Sequence, residues 1–141
     1  MFFMCEGLSS LTLPVSTENV LNMQYMFYGC TNLATLDISS FKTSKVTTME
    51  GMFSSCSKLA SLNLKNFDVK QVTTMASMFS QCTELKSLDL SSFETTYVNN
   101  MWSMFYNCKS LTYLDISKFK FDSNKYGKNV LSSIIFKKFE S

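Results

Sequence analysis

Five cysteines recur at a nearly constant interval along the 141-residue chain. Cys30, Cys56, Cys82 and Cys108 are each 26 residues apart, and each ends the phrase Met-Phe-x-x-Cys. Cys5 ends the same phrase 25 residues before Cys30, because one position is missing from the stretch that holds the only proline. Such a period is typical of solenoids, in which every repeat packs on its neighbours. The chain therefore consists of about four and a half copies of one unit.

Each unit combines a segment of helical spacing with a segment of strand spacing. One face of a short helix is predicted by apolar residues at i, i+3, i+4 and i+7, which in one unit are Met49, Met52, Phe53 and Cys56. Residues that can cap a helix precede these segments: Asn22, Thr48, Thr74 and Asn100. Leu62 and Leu64 then alternate with polar residues, as in a β-strand. A unit is therefore predicted to contain a strand, a turn and a short helix.

The phrase VTTMEGMFSSCSKLASLNLKNF, from Val46 to Phe67, resembles the BspA-like bacterial surface-protein repeat, a leucine-rich repeat. The resemblance extends from Met1 to about Phe119. It implies an α/β fold, a right-handed leucine-rich-repeat solenoid with a parallel sheet on the concave side and short helices on the convex side. It also implies a non-catalytic protein-binding module of a bacterial surface or adhesion protein, with a host or matrix protein as its partner.

Two parts of the chain are expected, a solenoid over residues 1–119 and a C-terminal capping segment over residues 120–141. The repeat pattern ends after Phe119, and an apolar set at helical spacing follows: Val130, Leu131, Ile134 and Ile135. Such a segment needs an apolar surface, which the open flank of the last coil would provide. At the other end, Met1 enters the phrase midway and without a capping residue. We therefore expect a longer array, or a first coil that another chain covers, which includes self-association.

The cysteines are expected to be free, buried and small apolar side chains. Stacked strands lie ~4.8 Å apart and packed helices ~8–10 Å apart, so the predicted solenoid curves and places the cysteines on its wide side. Their Cα atoms would then exceed the ~7 Å limit for a disulfide. The chain has no histidine and no Cys-x-x-Cys, which argues against zinc. We expect no metal and no cofactor.

Several function classes are disfavoured by composition. Without histidine or a glycine-rich phosphate loop, the chain is not expected to be an enzyme, and no catalytic residues are assigned. The absence of arginine argues against nucleic acid as a partner. No apolar run approaches the ~18 residues of a membrane span. The resemblance implies a cell-surface or secreted location, but residues 1–10 lack the basic start of a signal peptide. The alternative is an intracellular leucine-rich-repeat scaffold or regulatory protein in the cytoplasm.

Binding candidates come from outward-facing positions, some in repeated columns and some that break the repeat pattern. Two columns of the predicted sheet face outward, one ending in Tyr113 and the other containing Asp89 and Asp115. The carboxylates are interpreted as partners of nearby Ser, Thr or loop N–H groups, with calcium as the alternative. Trp102 stands where other units have Gln, Glu and Ala, and Tyr106 lies four residues on. The pair is either a binding hot spot or a surface that the C-terminal cap covers.

Overall fold

A computed structural model describes residues 2–13 and 16–121 of the chain. Its described part is a stack of five coils, which we number in chain order: coil 1 (2–13 and 16–21), coil 2 (22–47), coil 3 (48–73), coil 4 (74–99) and coil 5 (100–121). The coil boundaries follow a ladder of parallel bridges that joins Asn22, Thr48, Thr74 and Asn100. The predicted repeat solenoid is therefore confirmed.

Four three-residue strands follow the predicted strand positions: β1 (Ser10–Thr12), β2 (Thr35–Asp37), β3 (Ser87–Asp89) and β4 (Tyr113–Asp115). Strand β1 pairs with β2 and β3 pairs with β4, both in parallel and one unit apart. Coil 3 contributes only a bridge between Ser61 and Ser87 on this side. The expectation of one continuous sheet is therefore wrong, since the described residues form two separate two-stranded sheets.

The predicted short helices are replaced by turns throughout the described residues. We call 23–30 and its equivalents in the other coils the turn segments. Their hydrogen bonds alternate: Met52 N–H donates to Met49 O within the coil (3.2 Å), and Phe53 N–H donates to Met78 O of the next coil (3.0 Å). In coils 2 to 5, two positions per turn segment have positive φ, such as Gly51 (58°) and Ser55 (63°) in coil 3.

The positive-φ positions explain why the helix prediction is wrong. A residue in the left-handed region reverses the local course of the backbone and cannot continue a right-handed helix. Alternate N–H groups therefore bond to the next coil, while the others bond three residues back, which keeps the apolar residues at i, i+3, i+4 and i+7 on the buried side. The spacing that predicted a helix is thus also satisfied by successive turns.

The residues predicted to cap helices instead close the start of each turn segment. Asn22 Oδ1 accepts from Gln24 N–H at 2.8 Å, and Asn100 Oδ1 accepts from Trp102 N–H at 3.0 Å. Thr48 Oγ1 lies 3.4 Å from Glu50 N. These are local turns in which a side-chain oxygen replaces a backbone acceptor.

The core consists of columns of equivalent side chains. Phe rings of successive turn segments stack nearly parallel with centroids 5.6–5.8 Å apart: Phe2, Phe27, Phe53, Phe79 and Phe105. Backbone hydrogen bonds join the coils on this side as well as on the strand side. The 8–10 Å spacing of packed helices, on which the expected curvature rested, is therefore absent from the described residues. We call the surface that carries strands β1–β4 the strand face, and the surface that carries the turn segments the turn face.

A third section of each coil, which we call the return loop (38–47 in coil 2 and its equivalents), is bonded to the neighbouring coil through threonine. Thr43 Oγ1 donates to Asp68 O at 2.9 Å and accepts from Asp68 N–H at 2.8 Å. Thr95 Oγ1 likewise accepts from Lys120 N–H at 2.8 Å. The side chains of Thr43 and Thr95 are buried, so these bonds satisfy groups that water does not reach.

Most of the predicted capping segment, 120–141, lies outside the described residues, and so does its expected contact with Trp102. Among the residues that the structure describes, no helix is long and apolar enough to cross a membrane.

Candidate functional site

The five candidate residues fall on two different faces of the coils. Asp89 ends strand β3, and Tyr113 and Asp115 begin and end strand β4, so these three lie on the strand face. Trp102 and Tyr106 lie in the turn segment of coil 5. The structure therefore offers two candidate surfaces.

A cleft of about 280 Å³ opens on the strand face. We call it the strand-face cleft, and it is lined by Leu62, Asn63, Leu64, Lys65, Ser87, Asp89 and Tyr113. Two of the predicted residues, Asp89 and Tyr113, are thus brought together. Sequence reasoning missed the part that coil 3 contributes, because Leu62 and Leu64 belong to the core columns and Lys65 has no aromatic or acidic signal.

The Asp89 carboxylate is held by its own turn. Ser91 donates to Asp89 Oδ1 from its hydroxyl at 2.6 Å and from its N–H at 3.0 Å. These bonds, and after them the charge of Lys65, lower the pKa of Asp89 below its usual value. Asp89 therefore carries its charge at neutral pH.

Lys65 is a weak partner of that carboxylate. Its Nζ lies 3.9 Å from Asp89 Oδ2, and its side chain is 75% exposed. Such an exposed pair contributes little to stability, so Lys65 can leave Asp89 at small cost. The carboxylate thus remains available to a cation from outside the chain.

The other strand-face carboxylates accept hydrogen bonds from loop N–H groups, as the sequence interpretation expected. Asp37 accepts from Ser39 N–H at 3.0 Å, and Asp115 accepts from Ser117 N–H at 2.9 Å. The bond from Ser39 lowers the pKa of Asp37. Within residues 2–13 and 16–121, no three His, Cys, Asp or Glu side chains are grouped so that they could hold a metal ion.

Tyr113 is the largest side chain on the rim of the cleft. Its ring is 52% exposed, and it stands in the strand register beside Ser87. Coil 3 also has a serine, Ser61, at this position. The tyrosine therefore distinguishes the end of the strand face from its middle.

The turn-face pair is exposed on a rigid backbone. Trp102 and Tyr106 are 56% and 52% exposed. Their carbonyls accept from Ser77 N–H at 2.8 Å and from Gln81 N–H at 2.6 Å in coil 4. These bonds fix the backbone, while the rings remain accessible to a partner.

A further aromatic cluster, which sequence reasoning missed, lies between coils 1 and 2. Phe3 stacks on Tyr28 with ring centroids 5.1 Å apart, and Tyr25 meets Tyr28 edge-on at 5.6 Å. The Tyr25 hydroxyl donates to Glu50 Oε1 at 2.7 Å, and this bond, more than burial, raises the pKa of Tyr25. The rings are in contact with one another, and Phe3 at the edge of the cluster remains exposed.

A glycine is the sequence signal that could have revealed this cluster. Gly51 stands one unit after Tyr25 and has a φ of +58°, and a Cβ at Gly51 would overlap the Tyr25 ring. The ring therefore lies directly over the backbone of coil 3. An isolated glycine in the repeat phrase marks this close approach.

Burial makes the thiols of Cys56, Cys82 and Cys108 unreactive. All five are free thiols, with Cys5 and Cys108 only partly buried. The Cys56 thiol donates to Phe27 O at 3.1 Å, and the other inner thiols repeat this bond. Burial raises the pKa of Cys56 and of Cys108 to about 12, and that of Cys82 in the same direction. They are protonated at neutral pH and poor nucleophiles.

The helix spacing from which free thiols were expected is absent from the described residues. Hydrogen-bonded turn segments, not widely spaced helices, carry the cysteines, and the stacked rings beside them repeat at 5.6–5.8 Å. Each inner thiol is instead engaged by a phenylalanine carbonyl of the preceding coil.

Comparison with known proteins gives a family and a structural likeness. The family model described as "Mycoplasma protein of unknown function, DUF285" matches residues 21–138. A crystal structure of the leucine-rich-repeat protein TpLRR of T. pallidum is similar, at 19% sequence identity and a TM-score of 0.44. The likeness covers 80% of this chain and 58% of that one. Curated protein sequences give no significant match. Because the family model spans most of its length, the chain belongs to the DUF285 family.

Proposed function

We propose that the chain is a non-catalytic repeat module that binds another protein through its strand face. The strand-face cleft is the observation that carries this proposal, because it combines an apolar floor, an ionised carboxylate and an exposed aromatic ring. Binding surfaces commonly place such groups on a rigid scaffold. The solenoid provides that scaffold, since the core columns repeat while the outward residues differ.

The cleft suits a partner side chain with an apolar stem and a cationic end. Leu62 and Leu64 line it as apolar groups, and Asp89 supplies the charge. Tyr113 can stack on a guanidinium or an alkyl stem. An arginine or lysine on an exposed segment of the partner meets these conditions and replaces Lys65 at Asp89.

The chain provides its own mild substitutions for a test. Tyr113→Ser and Asp89→Asn each install the residue that coil 3 has at the same position, so the fold should be retained. Wild type and variants would be immobilised and exposed to extracts of host cells and extracellular matrix. We expect a protein captured by wild type to be lost with both variants.

Tyr97→Gln is the matched control, because Tyr97 is exposed, lies in a return loop and aligns with Gln71. The control should retain the captured protein. Equal capture by Tyr113→Ser, Asp89→Asn and wild type would reject the strand face as the binding surface.

The exposed Trp102 and Tyr106 support a second candidate surface on the turn face. Trp102→Ala and Tyr106→Ser install the residues of coil 4, Ala76 and Ser80. If these variants lose the captured protein while Tyr113→Ser retains it, the turn face is the binding surface.

The cellular setting is a separate part of the proposal. The likeness of the repeat phrase to BspA-like repeats supports a bacterial surface or adhesion protein that binds a host or matrix protein. The alternative remains an intracellular scaffold. Brief protease treatment of intact native cells distinguishes them, since only a surface protein is digested while a cytoplasmic marker stays whole.

A further inference from the structure

Hydrogen bonding between coils is interrupted on the strand side of coil 3. The turn segments are joined by equivalent N–H to carbonyl bonds at every boundary from coil 2 to coil 5. On the strand side, Leu90 N–H donates to Asp115 O at 2.9 Å. The equivalent N–H groups of Ile38 and Leu64 have no hydrogen-bond partner among the described residues. Both side chains are buried, so this is a break inside the fold.

A second column shows the same break. Lys86 N–H donates to Ala60 O at 3.2 Å, and Thr112 N–H donates to Lys86 O at 2.9 Å. The equivalent N–H of Ala60 has no partner within the part of the chain that the structure describes. Coil 3 is still bridged to coil 4 through Ser61 and Ser87. The boundary between coils 2 and 3 is therefore the weakest on the strand side.

The sequence of coil 3 differs from that of coil 4 at just three positions in this region. Residues 61–67 read SLNLKNF and residues 87–93 read SLDLSSF. The Asp89 carboxylate accepts two bonds from Ser91, at 2.6 and 3.0 Å. Asn63 Oδ1 accepts a single bond from Lys65 N–H, at 3.2 Å. The turn that follows the strand is therefore less firmly closed in coil 3.

On the C-terminal side of residues 60–64, Asn66 bonds coil 3 to coil 2. Its Nδ2 donates to Ser39 O and to Phe41 O, both at 2.9 Å. On the N-terminal side of residues 60–64, the turn segment of coil 3 is hydrogen-bonded to coil 2. Residues 60–64 are thus anchored on both sides and unbonded to coil 2 in between.

We propose that residues 60–64 form an opening segment of the strand face. This segment moves away from coil 2 while the turn segments and Asn66 keep the coils stacked. The motion breaks no backbone hydrogen bond to coil 2 and strains only the bridge to coil 4 through Ala60 and Ser61, whereas the same motion in coil 5 would break the full pairing of β3 with β4. Because Leu62 and Leu64 line the strand-face cleft, opening changes the shape of the cleft. The inference depends on hydrogen bonding alone and holds whether or not a protein binds there.

Amide hydrogen exchange of the full chain, followed by NMR, tests the opening. After correction for intrinsic rates, we expect the amides of Ile38, Ala60 and Leu64 to exchange about tenfold or more faster than those of Leu90 and Thr112. Equal protection of the two groups would overturn the proposal.

Replacing residues of coil 3 by their equivalents in coil 4 tests the cause of the opening. Asn63→Asp, Lys65→Ser and Asn66→Ser together make residues 61–67 identical to residues 87–93. We expect this triple variant to slow exchange at the Ile38, Ala60 and Leu64 amides to the rate of Leu90. If these amides still exchange fast in the folded variant, residues 63, 65 and 66 are not the cause of the opening.

The reciprocal transplant keeps the test decisive if the first variant does not fold. Asp89→Asn, Ser91→Lys and Ser92→Asn together give coil 4 the sequence of coil 3. We expect the Leu90 amide to exchange about tenfold or more faster than in wild type. An unchanged Leu90 rate would contradict the proposed cause.

Discussion

At the scale of single residues, buried thiols link stability to pH. An unfolded cysteine has a pKa of ~8.5. Burial raises the pKa of Cys56 and of Cys108 to about 12 in the folded chain, and that of Cys82 in the same direction. The folded pKa is above the unfolded one, so the contribution of these thiols is fully present below the unfolded pKa. It is lost as the pH rises toward the folded pKa, because the unfolded state releases protons first.

We therefore predict a progressive loss of stability between pH 8 and pH 10, of about 2 kcal/mol per buried thiol at pH 10. Urea unfolding at a series of pH values measures it. Cys56→Ala should make the slope shallower, whatever its effect at pH 7. A free energy of unfolding that is constant over this range would contradict the prediction.

Gly51 is a residue whose importance follows from one contact. A Cβ at Gly51 would overlap the Tyr25 ring, and the backbone there has positive φ. We predict that Gly51→Ala lowers the free energy of unfolding by about 1–3 kcal/mol, through strain and displacement of the ring. Ser77→Ala is the matched control, since Ser77 has the same position and a φ of 55° but already carries a Cβ. Equal urea midpoints for the two variants would contradict the role of the ring contact.

At the scale of elements, the turn segment relies on residues in an unfavourable backbone region. Gln81 has a φ of +60°, whereas the equivalent residue of coil 2 is glycine, Gly29. A residue other than glycine in this region costs about 1–2 kcal/mol. We predict that Gln81→Gly raises the free energy of unfolding by up to about 1 kcal/mol, since the added chain entropy of glycine offsets part of the gain. Thermal and urea unfolding measure it.

Glu84→Gly is the control for that prediction. Glu84 is exposed and is not among the described residues with positive φ. Glycine there should lower stability by about 0.5–1 kcal/mol. The same loss from Gln81→Gly would show that the positive φ imposes no cost.

The limits of sequence reasoning are clearest in these elements. The repeat, the parallel register and the buried columns were predictable, because each follows from apolar spacing. The turns were not, because their i to i−3 bonds leave the same residues buried as a helix does. Gly29, Gly51 and Asn107 stand at positions of positive φ, but their equivalents Ser55, Ser77 and Gln81 carry no such signal. Likewise, Tyr113 was predictable as an exception to the repeat and Asp89 as a member of a column of carboxylates. The break at coil 3 was not predictable, because the sequence of coil 3 is close to that of coil 4 and does not show which hydrogen bonds are missing.

At the scale of the whole molecule, the coils at the two ends differ from those between them. Leu13 of coil 1 and Ile116 of coil 5 are half-buried, whereas their equivalent in coil 4, Leu90, is buried. Turn-segment bonds all run in one direction, from the N–H groups of one coil to the carbonyls of the next. The flank of coil 1 that faces away from coil 2 therefore offers carbonyl groups and half-buried leucine side chains to a second copy of the chain.

We predict that the 141-residue chain self-associates through coil 1, with a mass that rises with concentration in sedimentation. Leu11→Lys should abolish this rise, because it places a charge among the half-buried side chains of that flank. Thr35→Lys, which adds the same charge to an exposed position of β2, should leave it unchanged. Thermal unfolding of Leu11→Lys establishes that the variant is folded before its mass is interpreted. A mass that stays monomeric for wild type at every concentration would contradict the prediction. A rise that persists in folded Leu11→Lys would move the contact away from coil 1, and the exposed aromatic residues of coil 5 would then be the surface to vary.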